Sequence, residues 1–487
     1  MEINELTPAE RRVWEAYPRS ESVDFRESPD EDVATGDGWG PERTVRAAVL
    51  KAILLGTPRE DGEIAGLKVA GARISGDLNL MYAVIDSPIR LSHCFFHEAP
   101  NFYGSRLRQL NLSGSVLPAL NFGSARIDGV LRMTDCLMRG PVRLGGTQIA
   151  GALFMDRATF TAPGTSEPVL QLNQAVIGDD LWAPGLRAQG EVRLNGAGIT
   201  GSVNLVEAEF HHPGGTALDA STLNAGLDVL LRKVSVQGRV ELRGARVAGR
   251  LDLSYTRLSN TGNTALRASS CTIGELWLRM GPAVDGMLNL RRSQIDVLFL
   301  EPEMLPRVVL LNSLTYTSLL PLGPAERRLP MLERDGDGYL PYSYEQLTAA
   351  YRRIGDDDAA RKVQLAKQRR HRATLTWYAR AWGHLQDATV GYGFRPLRAA
   401  VWLLSLLAVG SIAYGLHHPP PVKADEAPDF SPVFYTLDLL LPIIDFGQEH
   451  AFSPDGWYQG LSYVLIITGW VLASTIVAGV TRAVSRQ

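Results

Sequence analysis

Short runs of alternating apolar and polar residues recur along the middle of the chain. A glycine is followed by two apolar residues that lie two positions apart, as in "GVLRM" at 129, "GPVRL" at 140 and "GALFM" at 151. Alternation with a period of two is the pattern of a half-buried β-strand. Because these units recur eleven residues apart, they predict a coil of about 22 residues with four short faces, repeated from residue 63 to residue 315.

A longer period overlies the short one. The even spacing of Leu170, Leu218 and Leu266 indicates a long period of about 48 residues, and each leucine follows a polar insertion rich in glycine, proline or asparagine. Two coils plus one loop would account for this spacing. We therefore predict a mainly β protein, a parallel β-helix of about eleven coils with apolar side chains stacked inward and glycines at the corners. A leucine-rich repeat is the alternative, but its asparagine ladder and helical segments are missing from the sequence.

The chain before the repeat has the pattern of a helical cap. Thr7 and Glu10 form a capping box, with Pro8 at the first helical position. Residues 40–56, "GPERTVRAAVLKAILLG", predict a second helix. Because a solenoid has open ends that must be covered, we interpret residues 1–62 as the N-terminal cap of the β-helix.

After the repeat, residues 316–395 change to a helical period. One predicted helix places four apolar side chains on one face: Tyr344, Leu347, Tyr351 and Ile354. A second helix begins at "GDDD", so the two predict a helical hairpin that connects the β-helix to the rest of the chain. The basic, aromatic stretch that follows would suit anionic lipid headgroups through Arg369, Arg370, Arg372, Arg380, Trp377 and Trp382. The alternative is a solvated helix without a role in lipid binding.

Two long apolar segments follow. Residues 399–416 and 461–480 contain no charged side chain and reach the length of a membrane-spanning helix. Lysine and arginine dominate residues 361–398, whereas residues 417–460 carry seven acidic residues and one lysine. Because positive residues stay on the cytoplasmic side, we predict a two-span plasma-membrane domain at residues 396–487, with both termini in the cytoplasm.

The segment between the two predicted spans is too apolar for an ordinary loop and too short to cross a bilayer. Residues 430–454 start like a helix at Ser431 and predict a re-entrant segment. The order of outer helix, short helix, loop and inner helix resembles the two-helix potassium-type pore module, although "TVGYG" is absent. Asp438, Asp445 and Glu449 would line the outer mouth, where rings of carboxylates favour cations. The alternative is an amphipathic helix lying on the outer leaflet.

Two further resemblances rest on the repeat and on the order of the segments. "LNFGSARIDGVLRM" (120–133) and "LNLSGSV" (110–116) resemble the pentapeptide-repeat and related right-handed β-helix proteins, with a spacing that alternates between five and six. This resemblance implies that the predicted parallel β-helix is right-handed. Together with "AARKVQLAKQRR", "GYGFRPLRA" and the two spans, the repeat resembles a group of actinobacterial membrane-anchored proteins often catalogued as membrane-associated oxidoreductases. That resemblance implies a redox activity. We nevertheless predict no cofactor and no metal, because the sequence lacks a dinucleotide fingerprint, C-x-x-C and any haem or iron–sulfur motif.

Composition narrows the classes of function. The formal net charge of −3 excludes a globally basic nucleic-acid binder, and 47 glycines among 487 residues agree with a structure that has many corners. Cys94, Cys136 and Cys271 lie far apart in the sequence. Their odd number and wide spacing predict reduced structural thiols.

Our first functional hypothesis is non-enzymatic: an oligomeric cation-permeable pore or membrane sensor whose β-helix is a cytoplasmic binding domain. The second is a membrane-tethered scaffold without catalysis, and the third is the membrane-associated oxidoreductase. The expected partners are the lipid bilayer, further copies of this chain and a cytoplasmic protein bound to the β-helix, but no nucleic acid.

Overall fold

The computed structural model describes residues 5–56, 64–380, 384, 396–423, 427–441 and 444–484. The chain forms two compact units, Met1–Gln346 and Leu347–Gln487. The first unit contains a parallel β-solenoid, which confirms the predicted β-helix class. The right-handed sense of the coil stays a prediction.

The solenoid consists of short parallel strands that make about 12 turns. Its N-terminal half contains the strands β1 Ser22–Asp24, β2 Thr44–Arg46, β3 Leu67–Ala70, β4 Arg73–Ser75, β5 Val84–Ile85, β6 Ile89–Ser92, β7 Phe95–Phe96, β8 Arg106–Leu107, β9 Leu110–Asn111, β10 Val116–Leu117, β11 Leu120–Asn121, β12 Arg126–Ile127, β13 Leu131–Arg132, β14 Leu137–Met138, β15 Val142–Arg143, β16 Gln148–Ile149, β17 Leu153–Phe154 and β18 Thr159–Thr161. Its C-terminal half contains β19 Leu170–Gln171, β20 Val176–Ile177, β21 Leu181–Trp182, β22 Arg187–Gln189, β23 Val192–Arg193, β24 Gly198–Ile199, β25 Val203–Asn204, β26 Glu209–Asp219, β27 Asn224–Ala225, β28 Val229–Leu230, β29 Ser235–Glu241, β30 Arg246–Asp252, β31 Arg257–Arg267, β32 Thr272–Leu278, β33 Asp285–Asn289, β34 Gln294–Leu300, β35 Val308–Leu310 and β36 Thr315–Leu320. Short 3₁₀ turns lie at Val33–Gly38, Pro41–Arg43 and Pro302–Met304.

Each full turn carries four strands, so four ladders of parallel hydrogen bonds run along the coil axis. β13, β14, β15 and β16 belong in this order to what we call ladders 1, 2, 3 and 4, and β17 returns to ladder 1. Leu131 pairs with Leu153, which is the equivalent position of the next coil in the sequence repeat. The predicted coil length and its four faces are therefore confirmed, and we call a turn of this length a plain turn.

Some turns are longer than a plain turn. Val142 pairs with Leu170, and the inserted residues 162–168 lie between them. Val192 pairs with Leu218 across the insertion 211–216, whereas Leu218 pairs with Val240 through a plain turn. One enlarged turn and one plain turn together therefore make up the long period of the sequence.

Columns of inward-facing apolar residues form the core of the solenoid. The column of ladder 1 contains residues that are at most 2% exposed: Leu110, Leu131, Leu153, Leu181, Val203, Val229, Leu251, Leu276 and Leu298. The residues in the column of ladder 3 are at most 3% exposed: Leu120, Val142, Leu170, Val192, Leu218, Val240, Leu266, Leu288 and Val309. Burying one such side chain contributes about 2 kcal/mol. Each turn is therefore stabilised mainly by the turns on either side of it.

Two kinds of corner join the ladders. At the corner between ladders 3 and 4, one residue per turn has a left-handed backbone, and Gly104, Ser124 and Gln174 are examples. Other residues than glycine thus occupy this position, at a cost of about 1 kcal/mol each. At the corner between ladders 4 and 1, glycine is needed for space, because a Cβ on Gly226 would lie 2.1 Å from the carbonyl oxygen of Thr200.

The N-terminal region contains less helix than the sequence predicts. α1 Pro8–Ala16 has both capping-box hydrogen bonds, one from the backbone of Glu10 to Thr7 Oγ1 and one from the backbone of Thr7 to Glu10 Oε2. α2 spans Ala47–Gly56, because the preceding strand β2 pairs with β4. A backbone that extends the sheet cannot be helical, so the helix predicted from residue 40 begins only at Ala47.

Helices follow the last strand: α3 Ala325–Glu333, α4 Pro341–Arg353, α5 Asp357–Arg372, α6 Pro396–Leu416, α7 Pro432–Leu440 and α8 Trp457–Val484. α4 and α5 are the two helices predicted for the connector. Tyr344, Leu347 and Tyr351 are buried on α4 as predicted, but Ile354 lies beyond its end and is 52% exposed. Gly355, with φ of +78°, follows the end of this helix.

α6, α7 and α8 share a small apolar core. Its buried side chains are Tyr414, Tyr435, Leu439, Leu440, Phe452 and Leu465. The hydroxyl of Tyr414 donates a hydrogen bond of 3.1 Å to the backbone carbonyl of Tyr458, and the rings of Tyr414 and Tyr435 meet edge to face at 4.9 Å. Part of the apolar content of these helices therefore serves their contact with one another.

The predicted spans require a correction. A helix needs about 20 consecutive, mainly apolar residues to cross a bilayer. Among the residues that the structure describes, none of the helices combines the necessary length with the necessary apolar character. The predicted two-span plasma-membrane localisation, with its transmembrane helices, is wrong by this criterion.

Candidate binding clefts on one corner of the solenoid

The three acidic residues predicted at a pore mouth have different environments. Asp438 is 4% exposed, and its carboxylate accepts the backbone N–H groups of Phe446, Gln448 and Glu449 at 2.5, 2.7 and 3.1 Å. Three such bonds to one carboxylate hold the loop after α7 in place. Asp445 and Glu449 are exposed in that loop. The structure therefore brings the three residues close together, but the carboxylate of Asp438 is used to stabilise the loop.

The residues predicted to contact lipid headgroups lie at the end of α5 and after it. Three of them occupy the last turn of α5: Arg369, Arg370 and Arg372. Positive charge in this turn complements the helix dipole. Trp377 is 80% exposed, Arg380 donates to a backbone carbonyl, and Trp382 lies outside the described residues. A role in lipid binding stays a prediction.

The three cysteines are free, buried side chains that face the interior. Sγ of Cys136 lies 3.0 Å from the carbonyl oxygen of Leu112, and Sγ of Cys271 lies 2.9 Å from that of Leu242. Burial raises the pKa of Cys94 and Cys136 to about 12 and the pKa of Cys271 to about 11. Such thiols carry almost no thiolate at neutral pH, so the prediction of structural thiols is confirmed.

Three inserted loops project from the corner between ladders 2 and 3. Residues 162–168, 211–216 and 260–264 form these loops, and we call this edge of the solenoid the notched corner. The loops occur on every second turn. On the turns between them, the chain changes direction at a single glycine, Gly190 or Gly238.

The glycines on the turns between the loops leave the space that the backbones of the loops need. Gly190, Gly238 and Gly286 recur with the long period of the sequence and have φ angles of +135°, +128° and +130°. A Cβ on Gly238 would lie 2.4 Å from the carbonyl oxygen of His212, and one on Gly286 would lie 2.8 Å from that of Asn263. The φ angles and the close approach both require glycine. The backbones of the second and third loops therefore rest directly on the glycine of the following turn.

The spaces between successive loops are two clefts, and the later loop of each contributes residues at equivalent positions, 211–213 in the first cleft and 259–261 in the second. Cleft 1 lies between the loops 162–168 and 211–216 and has a volume of about 330 Å³. Cleft 2 lies between the loops 211–216 and 260–264 and has a volume of about 450 Å³. Gln189 lines cleft 1, and Gln237, one long period later, lines cleft 2. Because neighbouring turns lie about 4.8 Å apart, the clefts repeat about every 10 Å along the coil axis.

Equivalent hydrogen bonds hold the two loops that enclose cleft 2. His212 Nδ1 lies 2.9 Å from the carbonyl oxygen of Thr216. At the equivalent positions of the next loop, Asn260 Nδ2 donates to the carbonyl oxygen of Thr264 at 2.8 Å. A ring nitrogen must carry a hydrogen to donate to a carbonyl, so the geometry assigns the proton to Nδ1 of His212. Both loops therefore have an internal bond that fixes their shape.

Hydroxyl and amide groups predominate in the lining of cleft 2, whereas cleft 1 also contains two histidines and two glutamates, and most of the charges in the two clefts are paired. In cleft 1 the carboxylates of Glu167 and Glu191 form ion pairs with Arg143 and Arg193. Cleft 2 contains the guanidinium group of Arg257. Polar groups of this kind bind a ligand through hydrogen bonds rather than through a strong local field.

Beyond the third loop the pattern ends. The hydroxyl groups of Thr261 and Ser259 donate to the carboxylate of Asp285 at 2.7 and 2.8 Å. These bonds lower the pKa of Asp285. Asp285 stands at the position equivalent to Gln237, one long period later. Because its side chain is bonded into the loop, it is not free to bind a ligand as Gln237 is.

The sequence contains a signal for this corner that an inspection of the insertions alone misses. The insertions by themselves indicate only loops. The glycines at 190, 238 and 286 share the period of the insertions and lie between them. Insertions that alternate with glycine corners indicate that the loops project from one edge.

Across the described ranges, no group of three or more His, Cys, Asp and Glu side chains could hold a metal ion.

Comparisons with protein-family models, with curated proteins and with solved structures found no match for this chain. The resemblance of the repeat to the actinobacterial group therefore stays a prediction, whereas the resemblance to the potassium-type pore module requires the two spans corrected above.

Proposed function

We propose that the solenoid is a non-catalytic binding scaffold that holds an extended chain molecule along the notched corner. The observation that carries this proposal is the repetition of cleft 1 in cleft 2, with Gln189 and Gln237 at equivalent places. A single molecule that fills both clefts has to run along the coil axis. Pairing two weak sites in this way raises the affinity, because the second contact becomes intramolecular.

The rigidity of the corner supports the proposal. The bonds of His212 to Thr216 and of Asn260 to Thr264 hold the loops from within. The middle loop, residues 211–216, also packs closely on the next turn, because a Cβ on Gly238 would lie 2.4 Å from the carbonyl oxygen of His212. A site that is ordered before the ligand arrives loses little conformational entropy on binding.

The test removes the wall that both clefts share. Residues 212–217 are replaced by the dipeptide Gly-Arg, which turns the same corner one turn later at Gly238 and Arg239. The altered turn then has the length of a plain turn, so we expect the fold to persist. Leu227→Ala is the control, because Leu227 is 56% exposed at the corner between ladders 4 and 1.

Binding is measured by fluorescence anisotropy with three labelled chains: a proline peptide of twelve residues, a Gly/Ser peptide of the same length and a β-1,4-linked glucose hexasaccharide. We expect the native protein and the control to bind at least one of them, and the loop variant to bind it at least about tenfold more weakly. Equal binding by the loop variant, or no binding of any chain by the native protein, would overturn the proposal.

A further inference from the structure

We infer that the chain held at the notched corner is a peptide in the polyproline II conformation. This inference rests on the proposed function and adds the chemical class of the ligand. It follows from the spacing of the clefts, from the free amide groups on their floors and from the shared wall.

The spacing of the clefts selects among extended peptides. Cleft 1 and cleft 2 repeat about every 10 Å along the coil axis. A polyproline II helix has three residues per turn and advances about 9 Å per turn, so residues i and i+3 present the same side to the two clefts. A β-strand repeats the direction of its side chains about every 7 Å, and an α-helix completes a turn in about 5 Å. Two turns of an α-helix span nearly the same distance as the clefts, but the backbone carbonyls of an α-helix are bonded within the helix, whereas those of polyproline II can accept hydrogen bonds from the clefts.

The floor of each cleft offers the hydrogen-bonding group that such a ligand lacks. The side chains of Gln189 and Gln237 are exposed, and within the described part of the chain neither side-chain amide forms a hydrogen bond. Proline has no backbone N–H, and the carbonyl oxygens of polyproline II are not used within its own backbone. The ligand is therefore rich in acceptors, and a glutamine amide at each cleft can donate to it.

The shared wall adds an apolar contact. Pro213 lines both clefts at the projecting end of the middle loop. A pyrrolidine ring in this position can pack against the rings of a proline-rich ligand on either side. The ligand itself is already extended in solution, whereas a Gly/Ser chain is a flexible coil that loses much more entropy on binding.

The test compares lengths, chain types and two substitutions of one glutamine. We expect a proline peptide of nine residues, which reaches both clefts, to bind at least about tenfold more tightly than one of three residues. Gln237→Ala should weaken binding of the longer peptide about fivefold by removing one donor. Gln237→Glu keeps the size of the side chain but presents an acceptor to the carbonyl groups of the ligand, so it should weaken binding further. Leu227→Ala again serves as the unaffected control.

The outcomes separate the two proposals. Tighter binding of the hexasaccharide, or equal binding of the Gly/Ser and proline peptides, would overturn the polyproline II ligand while the scaffold function stands. Equal affinities for the two peptide lengths would overturn it as well. If no chain binds the native protein, both proposals fall. Thermal unfolding of the two Gln237 variants should match that of the native protein, because this side chain is exposed.

Discussion

The plain turns and the enlarged turns of the solenoid have the same interior and different edges. The turn from Leu131 to Leu153 is plain, whereas the turn from Val192 to Leu218 contains the inserted loop 211–216. All four side chains are nevertheless at most 3% exposed. The additional residues leave the coil at the notched corner and return to the same inward column. The interior therefore sets the register, and the corner can vary to create clefts.

The largest effect is expected from a change that forces two turns apart. In Gly226→Ala the new Cβ would lie 2.1 Å from the carbonyl oxygen of Thr200, a backbone atom that cannot move alone. We expect the free energy of unfolding, measured in urea, to fall by about 3 kcal/mol. Gly198→Ala is the matched control, because a Cβ there meets nothing within 4 Å. Similar losses for the two variants would contradict the steric explanation.

The next largest effect is the dependence of the stability on pH that the buried thiols cause. The folded pKa of Cys94 and Cys136 is about 12, against an ordinary value of 9.0. Above pH 9 the unfolded chain releases these protons while the folded chain keeps them. The free energy of unfolding is therefore unaffected by these thiols below pH 9. Between pH 9 and pH 12 it falls by about 1.4 kcal/mol per thiol and pH unit.

Cys136→Ser should remove one thiol's share of this loss, because a hydroxyl group does not titrate there. Serine fits the position, since Ser115 occupies the equivalent place one turn earlier. The measurement is the urea midpoint of both proteins at about pH 8 and about pH 10. If the two proteins lose the same stability between these conditions, Cys136 does not titrate as burial requires.

A smaller effect is expected within the middle loop. His212→Ala removes the hydrogen bond to the carbonyl of Thr216 and should cost about 1 kcal/mol, measured by thermal unfolding. His212→Asn should restore most of this loss, because Asn260 makes the same bond to Thr264. Failure of asparagine to restore stability would show that the two loops are not equivalent.

The smallest effect on stability is expected where the change in sequence is largest. Replacing residues 212–217 by Gly-Arg removes the small buried side chain of Ala217, but it leaves Leu218 and its column intact and shortens the loop. Because these effects offset each other, the free energy of unfolding should change by no more than about 0.5 kcal/mol. Chemical unfolding of the variant and the native protein checks this. A loss comparable to that of Gly226→Ala would mean that the loop belongs to the core, which would remove the distinction between interior and corner.

Much of the solenoid could be predicted because its pattern is local. The alternation in "GVLRM" and "GALFM" and the spacing of Leu170, Leu218 and Leu266 contain the coil length and the inward columns. The helix predicted from residue 40 shows the limit of this reasoning. Thr44–Arg46 is a strand because β4 lies beside it, and a local pattern cannot report a neighbour that is distant in sequence.

The C-terminal helices and the predicted pore mouth also depend on neighbours that are distant in the sequence. Apolar runs at 399–416 and 461–480 predict spans, yet no helix in the described ranges meets the requirement for one. Asp438 is an acidic residue whose sequence neighbours suggest an exposed mouth. In the structure it binds three backbone N–H groups instead.

The sequence by itself determined the period of the coil, the four strands in each turn and the side chains that face inward, because alternation and spacing operate between near neighbours. Only the tertiary structure decided that the loops 162–168, 211–216 and 260–264 enclose two clefts with one glutamine in each. Gln189 and Gln237 are distant in the sequence, and they come within two turns of each other only when every turn between them holds its register. The physical reason is that the binding surface is assembled by stacking, which depends on contacts between turns rather than on any single segment.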